Sequence, residues 1–235
     1  MSEVQENGIR YGCMVLGPVA TNSYFFYRTG TDEDKNPRGI PVLLFDPPAE
    51  GERIYQALSE RGFTVEMILL THAHFDHIDG VEGLQRAASE DGSQKIPVAA
   101  LKEERPLCED PKLNCSLSMG GRGVVVSPDR WLSDHEIIEA AGLVVEVLAT
   151  PGHTIGGCCY YIKEAGAAVC GDTLFCGSVG RTDLPTGNMS VLLESIRTRL
   201  FTLPESTLLL PGHGEETTVG EEIRENPFVG RNGAY

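Results

Sequence analysis

Apolar residues along this chain come in runs about the length of a strand, broken by glycine, proline and clustered polar residues. Tyr11–Leu16, Ser23–Arg28 and Ile40–Phe45 read as strands, followed by Val65–Leu70, Val98–Leu101, Leu143–Leu148, Cys158–Ile162, Ala167–Cys170 and Thr207–Leu210. Between them the period changes to that of a helix. Glu52–Arg61 carries Ile54, Ala57 and Leu58 on one face and is stopped by Gly62. Ile78–Ser89 is also expected to be helical. Asn188 can cap a helix to about Leu200, with Leu192, Ile196 and Leu200 along one face. Thr218 and Glu221 have capping-box spacing for a last short helix, which Pro227 ends. Two segments fit neither period. Thr29–Gly39 reads as a long exposed hairpin loop, and Cys108–Arg122 as a long irregular stretch.

The order is β-rich first and mixed afterwards, with helices placed to cover strands. The expected architecture is α/β in four layers, two sheets sandwiched between helices, in a single domain spanning residues 1–235. A hydrophobic content of 41% supplies a core, and no apolar run approaches the roughly 20 residues of a spanning helix. The segment Met1–Arg10 is polar, without the apolar centre of a secretory signal, so a cytoplasmic protein is expected. The formal charge of −15 argues against nucleic acid or anionic membrane as partner and favours a small-molecule substrate. Cys13, Cys108, Cys115, Cys158, Cys159, Cys170 and Cys176 make an odd set without a C-x-x-C pair, as expected of reduced thiols. Cys158 and Cys159 must lie on opposite faces of any strand that contains them. Nothing in the chain speaks to oligomeric state.

The polar residues that change this picture stand where the apolar runs end. After Leu70 comes Thr71-His72-Ala73-His74-Phe75-Asp76-His77, an H-x-H-x-D-H cluster; His153, Asp172 and His213 each follow a later run. Five of the six histidines thus join two aspartates in one set of nitrogen and oxygen donors. His72 and His74 share a face of an extended segment and can chelate one ion, with His153 completing it. Asp76 and His77 are offset and can serve a second ion with His213, leaving Asp172 to bridge. Two divalent ions bring +4; the two carboxylates and one hydroxide leave about +1, enough to polarise a carbonyl and stabilise an oxyanion. Zinc is the expected metal, with iron or manganese as alternatives, because imidazole and carboxylate accept all three. Gly152, Gly171 and Gly212 are expected to let the backbone turn beside the ligands. Thr71 and Thr154 read as hydrogen-bonding supports, and His135, in a polar turn, as a surface residue.

With these motifs the chain resembles the metallo-β-lactamase superfamily, and within it most nearly the compact hydrolases related to glyoxalase II. The resemblance rests on the H-x-H-x-D-H cluster, the segment Gly171–Asp183, Pro211-Gly-His-Gly214, and Thr217–Glu222 before Asn226-Pro-Phe. It implies the αββα sandwich, with His72, His74 and His153 on one metal, Asp76, His77 and His213 on the other, and Asp172 between them. It implies hydrolysis of a thioester such as S-lactoylglutathione by a metal-bridging hydroxide, with Asp76 and Asp172 as catalytic residues. Arg181 falls where such enzymes carry a basic residue toward glutathione; paired with Asp183 it would instead brace the loop. Glutathione-specific members add a C-terminal helical domain that has no counterpart after Phe228, and they place tyrosine near the position of Asp183. The thiol carrier is therefore open. Persulfide dioxygenases, which use a single iron, share a segment like Gly180–Asp183, and lactone or other small-ester hydrolysis is a further alternative. A β-lactamase would usually have cysteine at position 172 and an export signal, so that activity is not expected.

Overall fold

The computed structural model describes residues 8–30, 39–93, 95–119 and 121–234. The first sheet is built from β1 (Ile9–Leu16), β2 (Thr21–Arg28), β3 (Ile40–Phe45), β4 (Phe63–Leu70), β5 (Val98–Leu101) and β6 (Arg130–Leu132), in that order across the sheet. β1, β2 and β3 pair antiparallel, then β3 to β6 run parallel. The second sheet has the order β14 (Thr217–Thr218), β13 (Leu208–Pro211), β10 (Ala167–Gly171), β9 (Cys158–Ile162), β8 (Leu143–Ala149) and β7 (Ile137–Ala140). A small hairpin, β11 (Leu174–Phe175) and β12 (Ser178–Val179), stands apart from both.

Strand alternation builds the layers. Leu43, Phe45 and Leu69 meet Val145, Val147, Tyr160 and Val169 in a core between the sheets. Their neighbours Val42, Leu44, Ile68 and Leu70 face outward onto α1 (Gly51–Ser59) and α3 (Val81–Glu90). On the far side Cys159, Tyr161, Ala168 and Cys170 pack against α5 (Met189–Thr198) and α6 (Val219–Glu225). Because successive side chains point to opposite faces, these adjacent apolar residues serve three separate cores. The expected αββα sandwich is the fold observed. Cys158 lies in the core between the sheets and Cys159 in the outer one. All seven cysteines are free thiols, and no described helix is long and apolar enough to cross a membrane.

Some elements differ from the sequence expectation. The helix expected over Ile78–Ser89 is two: α2 (Phe75–Ile78) and α3, separated at Gly80. Gly80 gives its N–H to Pro47 O at 3.1 Å rather than to the preceding turn, which interrupts the helical ladder, and a Cβ there would overlap the Pro48 carbonyl. β6 and β7 have no counterpart among the expected strands, and Cys108 belongs to a short helix, α4 (Arg105–Glu109), rather than to the irregular stretch. Asn188 and Thr218 cap α5 and α6 as expected, each accepting a backbone N–H. Most of the Thr29–Gly39 loop, residues 31–38, lies outside the described residues, as do residues 1–7 and Gly120.

Candidate metal centre

The chemistry-bearing residues collect at one edge of the sandwich because four strands end there. β4 of the first sheet delivers Thr71 to His77, while β8, β10 and β13 of the second deliver His153, Asp172 and His213. Bonds between the sheets hold these ends together. The Cys158 N–H donates to Thr71 O at 2.9 Å, and the Tyr160 hydroxyl to Leu70 O at 2.8 Å. From β2, Asn22 donates its side-chain amide to Pro211 O and Gly214 O, and Thr21 donates its hydroxyl to Asp76 Oδ2 at 3.0 Å.

All seven sequence-predicted donors are brought together. His72, His74 and His153 form one cluster, and Asp76, His77 and His213 another; within each, one donor atom per residue lies within 4.8 Å of the others. Asp172 lies between them: its Oδ2 is 3.6 Å from His153 Nε2 and 3.6 Å from His213 Nε2, and its Oδ1 is 3.4 Å from His77 Nε2. The donor set fits two transition ions on a direct observation. The buried atoms His72 Nε2, His74 Nε2, His77 Nε2 and Asp172 Oδ1 have no hydrogen-bond partner. Buried polar atoms left this way are costly unless something else satisfies them, and four of them within one set of imidazole and carboxylate donors fit a cation site.

Ring tautomers are set from behind. Asp46, at the end of β3, accepts the Thr71 N–H at 2.7 Å, the Thr71 hydroxyl at 2.6 Å and His77 Nδ1–H at 3.0 Å. Since the Thr71 hydroxyl gives its proton to Asp46, its oxygen receives His72 Nδ1–H at 3.1 Å. His153 Nδ1–H donates to Arg181 O at 2.7 Å. In each case a proton is held on Nδ1 and Nε2 is turned toward the centre, where His153 Nε2 lies 2.9 Å from His74 Nδ1. His72 and His77 also approach Asp46 closely enough to form a third cluster. Asp46 is an orienting acceptor rather than a third ligand, because its oxygens already receive those three protons. Sequence reading missed it: a single acid before Pro47-Pro48 looks like a turn residue.

Electrostatics divide the two clusters. Burial and the neighbouring imidazoles hold His72 well below its ordinary value, and burial together with His153 holds His74 down to about 3. Burial also lowers His153. Burial pushes His77 down too, but Asp76, Asp172 and Asp46 outweigh it and raise it well above the ordinary value. For His213, burial is likewise outweighed by Asp76 and Asp172, and the net direction is up. Asp76 and Asp172 lie below the usual carboxylate range because the histidines overcome the effect of burial. The first cluster is thus neutral imidazole, and the second an acid–imidazole network.

The remaining expectations resolve by position. Arg181 forks onto Asp183, with Nε and Nη2 each 2.8 Å from a carboxylate oxygen, and both side chains are exposed. In this arrangement it braces the loop. His135 lies on the surface between Glu146 and Arg199. Of the three glycines beside ligands, Gly152 and Gly171 do adopt positive φ. Gly212 does not; it is needed because a Cβ there would overlap Asp172 Oδ1 and come within 2.6 Å of His77 Cε1.

The metallo-β-lactamase superfamily domain matches residues 16–213. The probable metallo-hydrolase YqgX of Bacillus subtilis (strain 168) is 40% identical over 222 residues, 92% of this chain and 95% of its own. The hydroxyacylglutathione hydrolase GloC of Haemophilus influenzae is 34% identical over 204 residues, 84% of this chain and 89% of its own. Among solved structures, the BLEG-1 B3 metallo-β-lactamase superposes with a TM-score of 0.83 at 35% identity, covering 93% of this chain and 99% of that one. TTHA1623 in a di-iron-bound form gives a TM-score of 0.74 at 33% identity, over 92% and 99%.

Proposed function

Because the chain belongs to the metallo-β-lactamase superfamily, we propose that it is a two-metal hydrolase of small thioesters. The observation that carries this is the pair of three-residue clusters sharing Asp172, with buried donor atoms that have no other partner. His72, His74 and His153 would hold one ion, and Asp76, His77 and His213 the other, with Asp172 common to both. Two divalent ions, when bound, would supply an activated water and polarise the substrate carbonyl. The chain's own residues have separate work. Asp46 and Arg181 O keep the rings turned with Nε2 inward, Asp76 and Asp172 balance the charge of the ions, and the buried cluster limits competing water.

The choice of a thioester is supported by the relative named as a hydroxyacylglutathione hydrolase, and by the ease with which a thiolate leaves without a dedicated acid. Since Asp183 occupies the Arg181 guanidinium, an anionic carrier such as glutathione would have to compete for it, and uncharged thioesters should be accepted as well. Seven free thiols suit a reducing, cytoplasmic setting for one such domain.

Metal analysis of freshly purified protein, with thiol release from S-lactoylglutathione and from a small uncharged thioester, tests the proposal. Two ions per chain with thiol release support it. One iron per chain with oxygen uptake on glutathione persulfide would sink it, as would cleavage of a β-lactam or lactone with no thioester turnover.

A further inference from the structure

Glu104 ends a short 3-10 turn, Lys102–Glu104, that follows β5. In sequence it belongs to a charged run, Lys102-Glu103-Glu104-Arg105, of the kind that ordinarily faces solvent. Its side chain is instead buried, 1% exposed, and among the described residues no cation pairs with it. Each carboxylate oxygen is spent on a backbone N–H from a different loop. Oε1 accepts from Ala73 at 2.9 Å, and Oε2 from Gly156 at 2.7 Å.

Those two loops are the arms of the first cluster. Ala73 sits between His72 and His74, on the loop that leaves the first sheet. Gly156 follows His153 on the loop that leaves the second. The second loop lies directly on the Glu104 turn, where a Cβ at Gly156 would overlap the Glu104 backbone nitrogen. One carboxylate therefore joins, through backbone, the two chain segments that must meet for His72, His74 and His153 to converge. No comparable bond from Glu104 reaches Asp76, His77 or His213. A buried acid without a cation is costly, and here the two backbone N–H groups offset that cost.

We propose that Glu104 is a positioning residue specific to the first ion site, setting the distance between the His72/His74 arm and the His153 arm. The inference rests on the reading of these three histidines as ligands. Glu104→Gln is nearly isosteric but leaves only one acceptor for two N–H groups, so one arm is released while the fold is kept.

The test is a cobalt(II) titration, followed by visible absorption, of Glu104→Gln in two backgrounds. In His213→Ala, where the first cluster is the intact one, the substitution should weaken cobalt binding about 10–100-fold, the usual effect of losing a ligand-orienting partner. In His153→Ala, where the second cluster is intact, it should change binding by less than about twofold. Equal weakening in both backgrounds means general loosening and overturns the proposal, as does no change in either. Circular dichroism checks the fold; if Glu104→Gln does not fold, Glu104→Asp, able to hold one amide, carries the same comparison. Failure of the wild type to bind two cobalt ions is a separate result. It removes the ligand assignment, and the proposal with it.

Discussion

Asparagine at position 46 would invert the pattern of protons behind the metal centre while changing almost nothing in shape. Asp46, Thr71 and His77 are all buried, and Asp46 accepts three protons, at 2.7, 2.6 and 3.0 Å. Asp46→Ala leaves three buried donors without an acceptor; breaking such a network costs about 3–5 kcal/mol of folding stability. Asp46→Asn keeps one acceptor. Its oxygen must stay on the Thr71 N–H, which points the amide NH2 at the Thr71 hydroxyl and at His77 Nδ1. The folding loss is then about 1–2 kcal/mol. The amide is now a donor where a proton used to arrive, however. His77 must move its proton to Nε2, and the Thr71 hydroxyl, turned away, pushes His72 toward the same tautomer. Both shifts place N–H groups where bare nitrogens face the centre. Metal affinity should fall about 10–100-fold, or about 1.4–2.7 kcal/mol. The two substitutions should therefore rank in opposite orders: Asp46→Asn the more stable in thermal melts, Asp46→Ala the better metal binder in chelator competition. If affinity follows stability, or if Asp46→Asn binds two ions like the wild type, the tautomer argument is wrong.

Three further outcomes follow from the geometry. Stripping the metal should lower the melting temperature: at a free ion concentration 100 times Kd, bound metal contributes about 2.7 kcal/mol. At about 2–4 °C per kcal/mol for a chain of this size, that is a drop of about 5–11 °C per ion in a melting scan; an unchanged Tm would refute the site. Metal binding at the two clusters should differ in pH dependence. His77 and His213 are raised and hold protons that an ion must displace, whereas His72, His74 and His153 are lowered and already neutral. As pH falls, the second ion should weaken more steeply than the first, with proton release visible by calorimetry in buffers of different ionisation enthalpy; equal slopes would contradict this division. Arg181→Ala should raise KM for an anionic thioester with little change in kcat, as expected for lost ground-state binding. An unchanged KM would leave Arg181 only its loop-bracing pair with Asp183.

Much of this protein is written in local pattern. The alternation in Ile40–Phe45, Val65–Leu70 and Ala167–Cys170 is a property of neighbouring residues, so the strands and their two faces could be read directly, and with them the four layers. The donors could be read too, because each stands just past an apolar run and the run predicts a strand end. What could not be read is whatever depends on which strand ends meet. Three- and four-residue strands such as β6 and β7 are too short to show a period and form only because a neighbour offers an edge. Asp46 looks like a turn acid until Thr71 and His77 come round to it, and Glu104 looks like a solvated charge until the Gly156 loop covers it. The identity of the candidate donors is carried by residue type and spacing along the chain. Their tautomers, their division into a neutral and an acidic cluster, and the bonds that hold one sheet's loop to the other's are decided only when distant segments share buried protons.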